Sequence, residues 1–202
     1  MKFILGKKIG MTRIFNEGGE SFPVTILNVA GNKISQIKNS TSDHYTAIQV
    51  AYGSKKHNPK SVVGHLKKAD IESAFRIKEF RGTDLGEFKV GEEISIKTFS
   101  VGDMVSVTST SKGKGFSGTV KRHNFQIGPK SHGSNNMRQP GSIGATTPAH
   151  VIKGRRMPGR MGGETTTLKD IEVLGIFADD HVMLLKGPIP GPNGSIIKIF
   201  SK

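Results

Sequence analysis

The sequence predicts a mainly β protein, either a barrel or a strongly bent sheet, that a long basic segment interrupts. Short β-branched and apolar runs, bounded by turn residues, recur in both flanks of the chain. A single segment has a helical pattern, so a sheet layered with helices is not expected. Between the flanks lie sixty residues, Met104 to Gly163, that contain no Asp or Glu.

The first elements in chain order are strand-like runs separated by turn signals. Asn16 and the pair Gly18-Gly19 supply turn chemistry after the N-terminal residues. Two β-branched and apolar runs follow, "SFPVTILNV" and "YTAIQVAY". Both runs predict strands.

The segment "LKKADIESAFRIKEF" is the one predicted helix. Its apolar residues fit a loosely apolar face: Leu66, Ala69, Ala74 and Ile77. Asp70 is a candidate local cap. The pattern therefore predicts a helical insertion near residues 66–80.

Further strands are predicted on both sides of the basic segment. Before it, "EEISIKTF" alternates Ile94 and Ile96 with polar residues, and "DMVSVTST" does the same with Val105 and Val107. Strand-like sequence resumes at Thr165 with "DIEVLGIF", "HVMLLK" and "SIIKIF". Asp179-Asp180 and "KGPIPGPNGS" are the predicted turns between these strands.

The positive charge is concentrated in the acid-free segment. The chain has 30 Lys and Arg against 16 Asp and Glu, a formal net charge of +14. Ten of the basic residues lie between Met104 and Gly163. A solvated surface normally mixes charges of both signs, so an acid-free run of this length indicates an interaction segment for a polyanion.

Residues 126–163 are predicted to form an extended loop between two parts of one β domain, residues 1–125 and 164–202. Apolar side chains are sparse and aperiodic there, so the segment cannot bury enough apolar area to offset its ordering entropy. A disordered linker is the alternative, although linkers are usually Ser/Gly or Pro tracts. Running out and back, the loop could extend roughly 60 Å at most.

The stretch "TSKGKGFSGTVKRHNF" contains the spacing G-x-G-x-x-G at Gly113, Gly115 and Gly118. A dinucleotide site would also need a helix after the glycines and an acid about 20 residues later. Gly128-Pro129 would end any such helix early. After the glycines, the first acidic residue is Glu164, which is too far along the chain. A P-loop is excluded as well, because Thr and Val follow Gly118.

The sequence contains no recognisable catalytic, cofactor or metal site. There is no Cys, the seven His lack metal-ligand spacing, and no nucleophile with a base and orienting group can be assembled. The N-terminus lacks the features of a signal peptide, and no apolar run is long enough to cross a membrane. We expect a soluble, intracellular protein without a cofactor.

The basic segment suits RNA better than the alternatives. Glycines allow the backbone to approach phosphates, Lys and Arg neutralise them, and Asn, His and Ser add hydrogen bonds. Aromatic residues are scarce and no recognition helix is apparent, which disfavours single-strand stacking and sequence-specific duplex binding. A folded RNA is favoured. A nucleotide-dependent enzyme and a nucleoid-type DNA-binding protein are the alternatives.

Four strings resemble the large-subunit ribosomal protein L3 family, bacterial type: "LGKKIGMTRIF", "TSKGKGFSGTVKRHNF", "GSIGATTPAHVIKGRRMPGRMGG" and "LLKGPIPGPNGS". They occur in family order from the first ten residues to the last fifteen. The resemblance implies a β-barrel domain on 23S-type ribosomal RNA and a basic loop reaching toward the peptidyl-transferase centre. It also implies a non-enzymatic, cytoplasmic protein of early large-subunit assembly, with proteins L14 and L19 as neighbours.

Carried over by motif, the resemblance implies a set of RNA-facing residues. They are Lys112, Lys114, Lys121, Arg122, Lys130, His132, Asn135, Arg138, Lys153, Arg155, Arg156 and Arg160. Two positions depart from the family pattern. Ser106 stands where an acidic or amide residue is usual, and Ala145 stands where some bacterial members carry a methylated Gln, so that modification should be absent.

Overall fold

The computed structural model describes residues 1–82 and 88–201. Its strands are β1 (Lys2–Phe15), β2 (Ser21–Asn28), β3 (Asn32–Lys38), β4 (Ala47–Tyr52), β5 (Arg76–Arg81), β6 (Met104–Thr110), β7 (Phe116–Ser117), β8 (Gly159–Arg160), β9 (Thr165–Phe177), β10 (Val182–Lys186) and β11 (Ile196–Ser201). Its α-helices are α1 (Ser40–Asp43), α2 (Lys60–Lys67) and α3 (Thr119–His123), and a 3-10 turn covers Ile96–Thr98.

Six strands form a closed antiparallel barrel in the order β1-β11-β6-β9-β10-β2, with β2 returning to β1. The prediction of a mainly β protein is therefore confirmed, and the barrel is the correct one of the two predicted arrangements. Closure leaves no free sheet edge in these six strands. The hairpin between β1 and β2 turns at Asn16, as predicted, where the amide of Gly19 donates to the Asn16 carbonyl at 3.0 Å.

A second sheet, β3-β4-β5, packs beside the barrel and shares its core. Phe3 of β1 meets Phe80 of β5 with ring centroids 4.8 Å apart. The next residue, Ile4, is also fully buried, so both faces of β1 are covered. Such a strand lacks the alternating pattern of a half-exposed strand. Neither β1 nor β3 was among the strands that the sequence predicted.

The predicted helix near residues 66–80 was wrong in its position. The helix α2 covers Lys60–Lys67, and the chain reverses at Asp70, which has a left-handed φ of 52°. Arg76–Arg81 instead forms a strand paired with β4. Three of the four residues that suggested a helical face, Leu66, Ala69 and Ala74, pack in a separate small cluster with Ala51 and Ile71, and the fourth, Ile77, packs against it. Tertiary burial of Phe80 and pairing with β4 outweigh local helix propensity here.

The predicted strand in "EEISIKTF" is also wrong. Ile94 and Ile96 are buried, but residues 96–98 form a 3-10 turn in which the Ser95 side chain accepts from the Lys97 amide. Glu93 makes one isolated bridge with Lys33. The runs "DMVSVTST", "DIEVLGIF", "HVMLLK" and "SIIKIF" do form strands, namely β6 and β9 to β11.

The chain divides into two compact units. The first comprises Met1–Thr110 and Thr165–Lys202, a range that includes residues outside the described part, and the second is Ser111–Glu164. The division falls earlier than the predicted change at residue 126. The physical reason is backbone pairing, because residues 111–117 pair with residues 159–164 of the same unit.

Candidate nucleic-acid interface

The second unit, residues 111–164, holds all twelve predicted RNA-facing residues. Eleven of them are exposed, and Arg122 alone is half-buried. Between Gln126 and Gly163 no residue is buried, so the loop has no core of its own. Its side chains are accordingly presented to solvent along the whole loop.

The root of this unit is a short antiparallel ladder. Phe116 pairs with Arg160 and Ser117 with Gly159. Two further backbone bonds continue the ladder, from the Lys114 amide to the Met161 carbonyl and from the Met161 amide to the Gly115 carbonyl, each 2.9 Å long. The ladder fixes the spacing between the outgoing and returning chains.

Glycine is required where the two chains meet most closely. A Cβ on Gly162 would lie 2.1 Å from the Lys112 carbonyl oxygen, and the residue has a φ of +70°. A side chain would therefore both clash with fixed backbone and occupy the left-handed region. The close approach places the neighbouring lysines at a defined position on the root.

Arg122 fastens the returning chain to the root. Its Nη1 donates to the Met157 carbonyl at 2.8 Å, and a ring nitrogen of His123 lies 3.2 Å from the same oxygen. A Cβ on Gly159 would lie 2.7 Å from Arg122 Nη1, so a side chain there would displace the guanidinium from this position. Arg122 thus has a structural role, which the sequence did not predict.

A pocket of about 500 Å³ opens at the root. Its lining residues are Ser111, Lys112, Lys114, Arg122, His123, Met161, Gly162 and Glu164. The structure therefore brings Lys112, Lys114 and Arg122 together around one cavity. The three cations outnumber the one acidic lining residue, Glu164, and together with the hydroxyl and imidazole groups they complement the charge and hydrogen-bond acceptors of a phosphate.

The remaining predicted residues are spread along the exposed chain instead of sharing that pocket. His132 has a left-handed φ of 57° and precedes Gly133 in a turn. Arg155 Nη2 donates to the Ser142 carbonyl at 2.5 Å, which ties two parts of the loop together. Lys130, Asn135, Arg138, Lys153 and Arg156 are exposed. Such a distribution suits many separate contacts with a polyanion.

Two lining or neighbouring residues were missed by sequence reasoning. His123 was not among the predicted site residues, yet it shares the Met157 carbonyl with Arg122. Phe116 is 79% exposed on the ladder, where its ring can stack on a base. The sequence offered one signal for both residues: His123 follows Arg122 and Phe116 follows Gly115 within the acid-free segment.

The geometry around the G-x-G-x-x-G spacing differs from that of a cofactor loop. A helix does follow Gly118, but α3 ends at His123 and Asn124 adopts a left-handed φ of 57°. The glycines precede a single five-residue turn of helix, and β7 pairs antiparallel with β8. A dinucleotide site needs a parallel βαβ unit.

The described part of the chain contains neither a metal-binding cluster nor a membrane-spanning helix. No group of three or more His, Cys, Asp or Glu residues in residues 1–82 and 88–201 is arranged to hold a metal ion. Over the same residues, no helix has the length and apolar character needed to cross a membrane.

Comparison with known proteins gives a consistent result. The sequence model of the family described as Ribosomal protein L3 matches residues 86–182. The chain is 46% identical over 202 residues to large ribosomal subunit protein uL3 of Halalkalibacterium halodurans, covering 99% of this chain and 97% of that protein. The corresponding protein of Shouchella clausii is 46% identical over 200 residues, with the same coverage. That of Desulfotalea psychrophila is 44% identical over 203 residues, covering 98% and 97%. By identity over nearly its whole length, this chain belongs to the ribosomal protein L3 family.

Proposed function

We propose that this protein is a structural constituent of the large ribosomal subunit and binds large-subunit ribosomal RNA directly through residues 111–164. We call residues 111–164 the extension. The observation that carries the proposal is that this extension is exposed and basic, with ten Lys and Arg and a single acidic residue, Glu164. The curated relatives are named as large-subunit proteins, and the family is structural and non-enzymatic. The site of action is then the cytoplasm.

The extension acts by neutralising phosphates. Lys112, Lys114 and Arg122 surround the root pocket, while the exposed cations beyond it follow the RNA backbone. Glycines let the chain enter grooves that side chains would block. The loop reaches toward the peptidyl-transferase centre while the barrel stays at the RNA surface. Binding of this kind helps to nucleate subunit assembly, with proteins L14 and L19 as neighbours.

Sedimentation tests the assignment to the particle. A tagged copy of the chain should sediment with large subunits and stay bound through a high-salt wash at moderate stringency. Absence of the protein from washed subunits would refute the proposal. Competition between ribosomal RNA and duplex DNA separates it from a nucleoid-type role, because we expect preference for the RNA.

Salt dependence tests the mechanism. If the extension neutralises about 6–10 phosphates, the log–log slope of RNA affinity against salt should exceed about 4 in magnitude. Replacing three exposed loop cations, R138Q, K153Q and R156Q, should reduce that slope by about 3. The matched control replaces three exposed barrel-unit lysines, Lys55, Lys56 and Lys60, by Gln. Equal changes in the two triple variants would contradict an extension-specific contact.

A further inference from the structure

The barrel unit carries a second basic groove, whose lining residues all lie outside residues 111–164. It has a volume of about 240 Å³. Its lining residues are Lys78 and Glu79 of β5, Ile196 and Lys198 of β11, Thr108, Ser109 and Thr110 of β6, and Thr165 of β9. The volume is below the roughly 300–1,000 Å³ of small-molecule pockets, so the groove suits a single small group such as one phosphate.

The hydroxyl side of the groove is fixed by strand register. Lys198 of β11 is the cross-strand partner of Thr108 in β6, which in turn faces Thr167 in β9. The Thr108 and Thr167 hydroxyl oxygens lie 2.8 Å apart, so one donates to the other. One row of the outer barrel surface therefore presents an ammonium group beside two hydroxyl groups. Thr110 and Thr165, also cross-strand partners, form the next row.

The cationic side of the groove lacks a counterion. Lys198 Nζ donates to the Glu79 carbonyl at 2.6 Å and lies 4.6 Å from the centroid of the Phe80 ring. Within residues 1–82 and 88–201, neither Lys78 nor Lys198 forms an ion pair. Two lysines that share a groove without a direct ion pair repel each other, and an anion bound between them would offset that repulsion.

Glu79 is the one acidic residue of the lining, and its carboxylate is engaged by other side chains. Glu79 Oε2 accepts from the Tyr45 hydroxyl at 3.3 Å and lies 3.9 Å from Arg81 Nη2, while Oε1 accepts from Gln49 Nε2 at 3.5 Å. Successive residues of a strand point to opposite faces, so the Glu79 side chain lies on the face away from Lys78 and Phe80. The groove keeps its positive character.

The electrostatics of Lys198 agree with this arrangement. Burial lowers the pKa of Lys198 below its ordinary value of 10.5, and the positive charges of Lys78 and Arg81 lower it further, while the negative charge of Glu79 opposes this shift in part. A bound phosphate would offset both effects. The side chain is therefore held, by Phe80 and the Glu79 carbonyl, in a position where an anion stabilises its charge.

We propose that this groove binds a backbone phosphate of ribosomal RNA between Lys78, Lys198 and the threonine hydroxyls, as an anchor on the barrel unit. The proposal rests on the RNA-binding function argued above. RNA is the favoured source of the phosphate because Thr110 and Thr165 directly flank the inserted extension in sequence. Lys112 is two residues from Thr110, so an RNA held at the root lies within a short chain length of the groove.

The experiment measures binding of the full-length protein to transcribed large-subunit ribosomal RNA over a salt series. The double variant K78Q/K198M removes both charges while Met retains the apolar stem that packs on Phe80. The matched control K55Q/K56Q removes two exposed charges outside the groove. We expect the groove variant to lose about 5- to 10-fold in affinity and to lower the salt slope by about 2, with little change in the control.

Two further arms keep the result interpretable. The single variant K78Q changes an exposed side chain and should lower the slope by about 1 even if K198M impairs folding. Phosphate ethylation of the RNA should reveal positions that block the wild-type protein but no longer affect K78Q/K198M. Equal binding and equal interference in groove and control variants would overturn this proposal alone, whereas absence of RNA binding by the wild type would overturn the proposed function as well.

Discussion

At the residue scale, a few buried polar side chains join segments of the barrel unit that are distant in sequence. Lys8 is 5% exposed and its Nζ donates to the Ile189 carbonyl at 2.7 Å and the Gly191 carbonyl at 3.3 Å. Asn32 is fully buried. Its side-chain amide forms hydrogen bonds with the backbone of Leu5 in β1, as a neighbouring strand would. These contacts join segments far apart in sequence, so composition alone does not reveal them.

Replacing Asn32 by Ala should destabilise the protein by about 2–4 kcal/mol, because buried hydrogen-bonding groups would lose their partners. Asn32 Oδ1 accepts from the Leu5 amide at 3.0 Å, and Nδ2 donates to the carbonyls of Leu5 at 2.9 Å and Val29 at 2.6 Å. Denaturant unfolding measures the change. The control N135A removes an exposed amide and should leave the unfolding midpoint unchanged, and a similar small effect in N32A would contradict the assigned role.

Asp103 should make stability depend on pH on the acid side. Lys2 Nζ and the Ser100 amide donate to its carboxylate at 2.7 and 2.9 Å, and these bonds hold the pKa of Asp103 below its ordinary value of 3.8. Because the folded pKa is depressed, the stabilisation is fully present above pH 3.8 and is lost as pH falls through the folded pKa.

The variant D103N should therefore lose less stability between pH 5 and pH 2 than the wild type. It lacks the carboxylate whose protonation is linked to unfolding. Thermal unfolding at a series of pH values, in low salt, gives the comparison. Parallel curves for the two proteins would show that Asp103 does not contribute to the pH dependence.

At the element scale, the sequence predicted β6, whose side chains alternate between core and surface, but missed β1, whose two faces are both covered. β6 alternates buried Val105 and Val107 with outward side chains, and the alternation is visible in the sequence. β1 buries Phe3, Ile4 and Leu5 consecutively, because the barrel core and the second sheet cover its two faces. The burial pattern of β1 depends on strands that are far away in sequence, so it cannot be derived from the neighbouring residues alone.

Part of the candidate site could be predicted from the sequence and part could not. The acid-free run located the extension, because charge composition needs no tertiary information. The root ladder was not predicted, since Gly115 and Met161 are far apart in sequence and their pairing depends on the fold. Likewise, Lys78 and Lys198 come from segments with mixed charge and become neighbours only through packing of β5 beside β11.

The root ladder gives a prediction for its glycines. G162A should open the ladder, because its Cβ would lie 2.1 Å from the Lys112 carbonyl oxygen in addition to the left-handed φ of +70°. G163A is the matched control, since Gly163 has a φ of +71° but the nearest atom to its Cβ is a flexible Arg160 nitrogen at 3.2 Å. The control should cost about 1–2 kcal/mol of local stability, the usual penalty for Ala in this region.

Amide hydrogen exchange measures both variants at the ladder itself. The amides of Lys114 and Met161 donate across the ladder, so they should exchange much faster in G162A and only modestly faster in G163A. Equal protection of these two amides in both variants would show that the close approach to Lys112 does not fix the ladder.

At the scale of the whole molecule, structure and charge are divided between the two units. The barrel unit contains every residue of the two hydrophobic clusters, whereas residues 111–164 bury only Ser117 and Thr119. Hydrophobic burial supplies most of the stability of a domain. Folding should therefore depend on the barrel unit, and RNA affinity mainly on the extension.

Removing the extension tests this division directly. Thr110 and Thr165 are antiparallel cross-strand partners, so a two-residue Asn-Gly turn can join them in place of residues 111–164. The shortened chain should unfold cooperatively, with a midpoint within a few degrees of the wild type, because no residue of either hydrophobic cluster is lost. Circular dichroism during thermal unfolding measures this.

The same shortened chain should lose most of its salt-dependent affinity for RNA. The removed residues contain ten of the 30 Lys and Arg but only one of the 16 acids, so the log–log salt slope should fall to less than half. The affinity left over should be sensitive to K78Q and K198M, because the groove lies wholly in the barrel unit. A folded barrel with an unchanged slope would contradict the assignment of RNA binding to the extension, and a shortened chain that fails to fold would contradict the independence of the barrel unit.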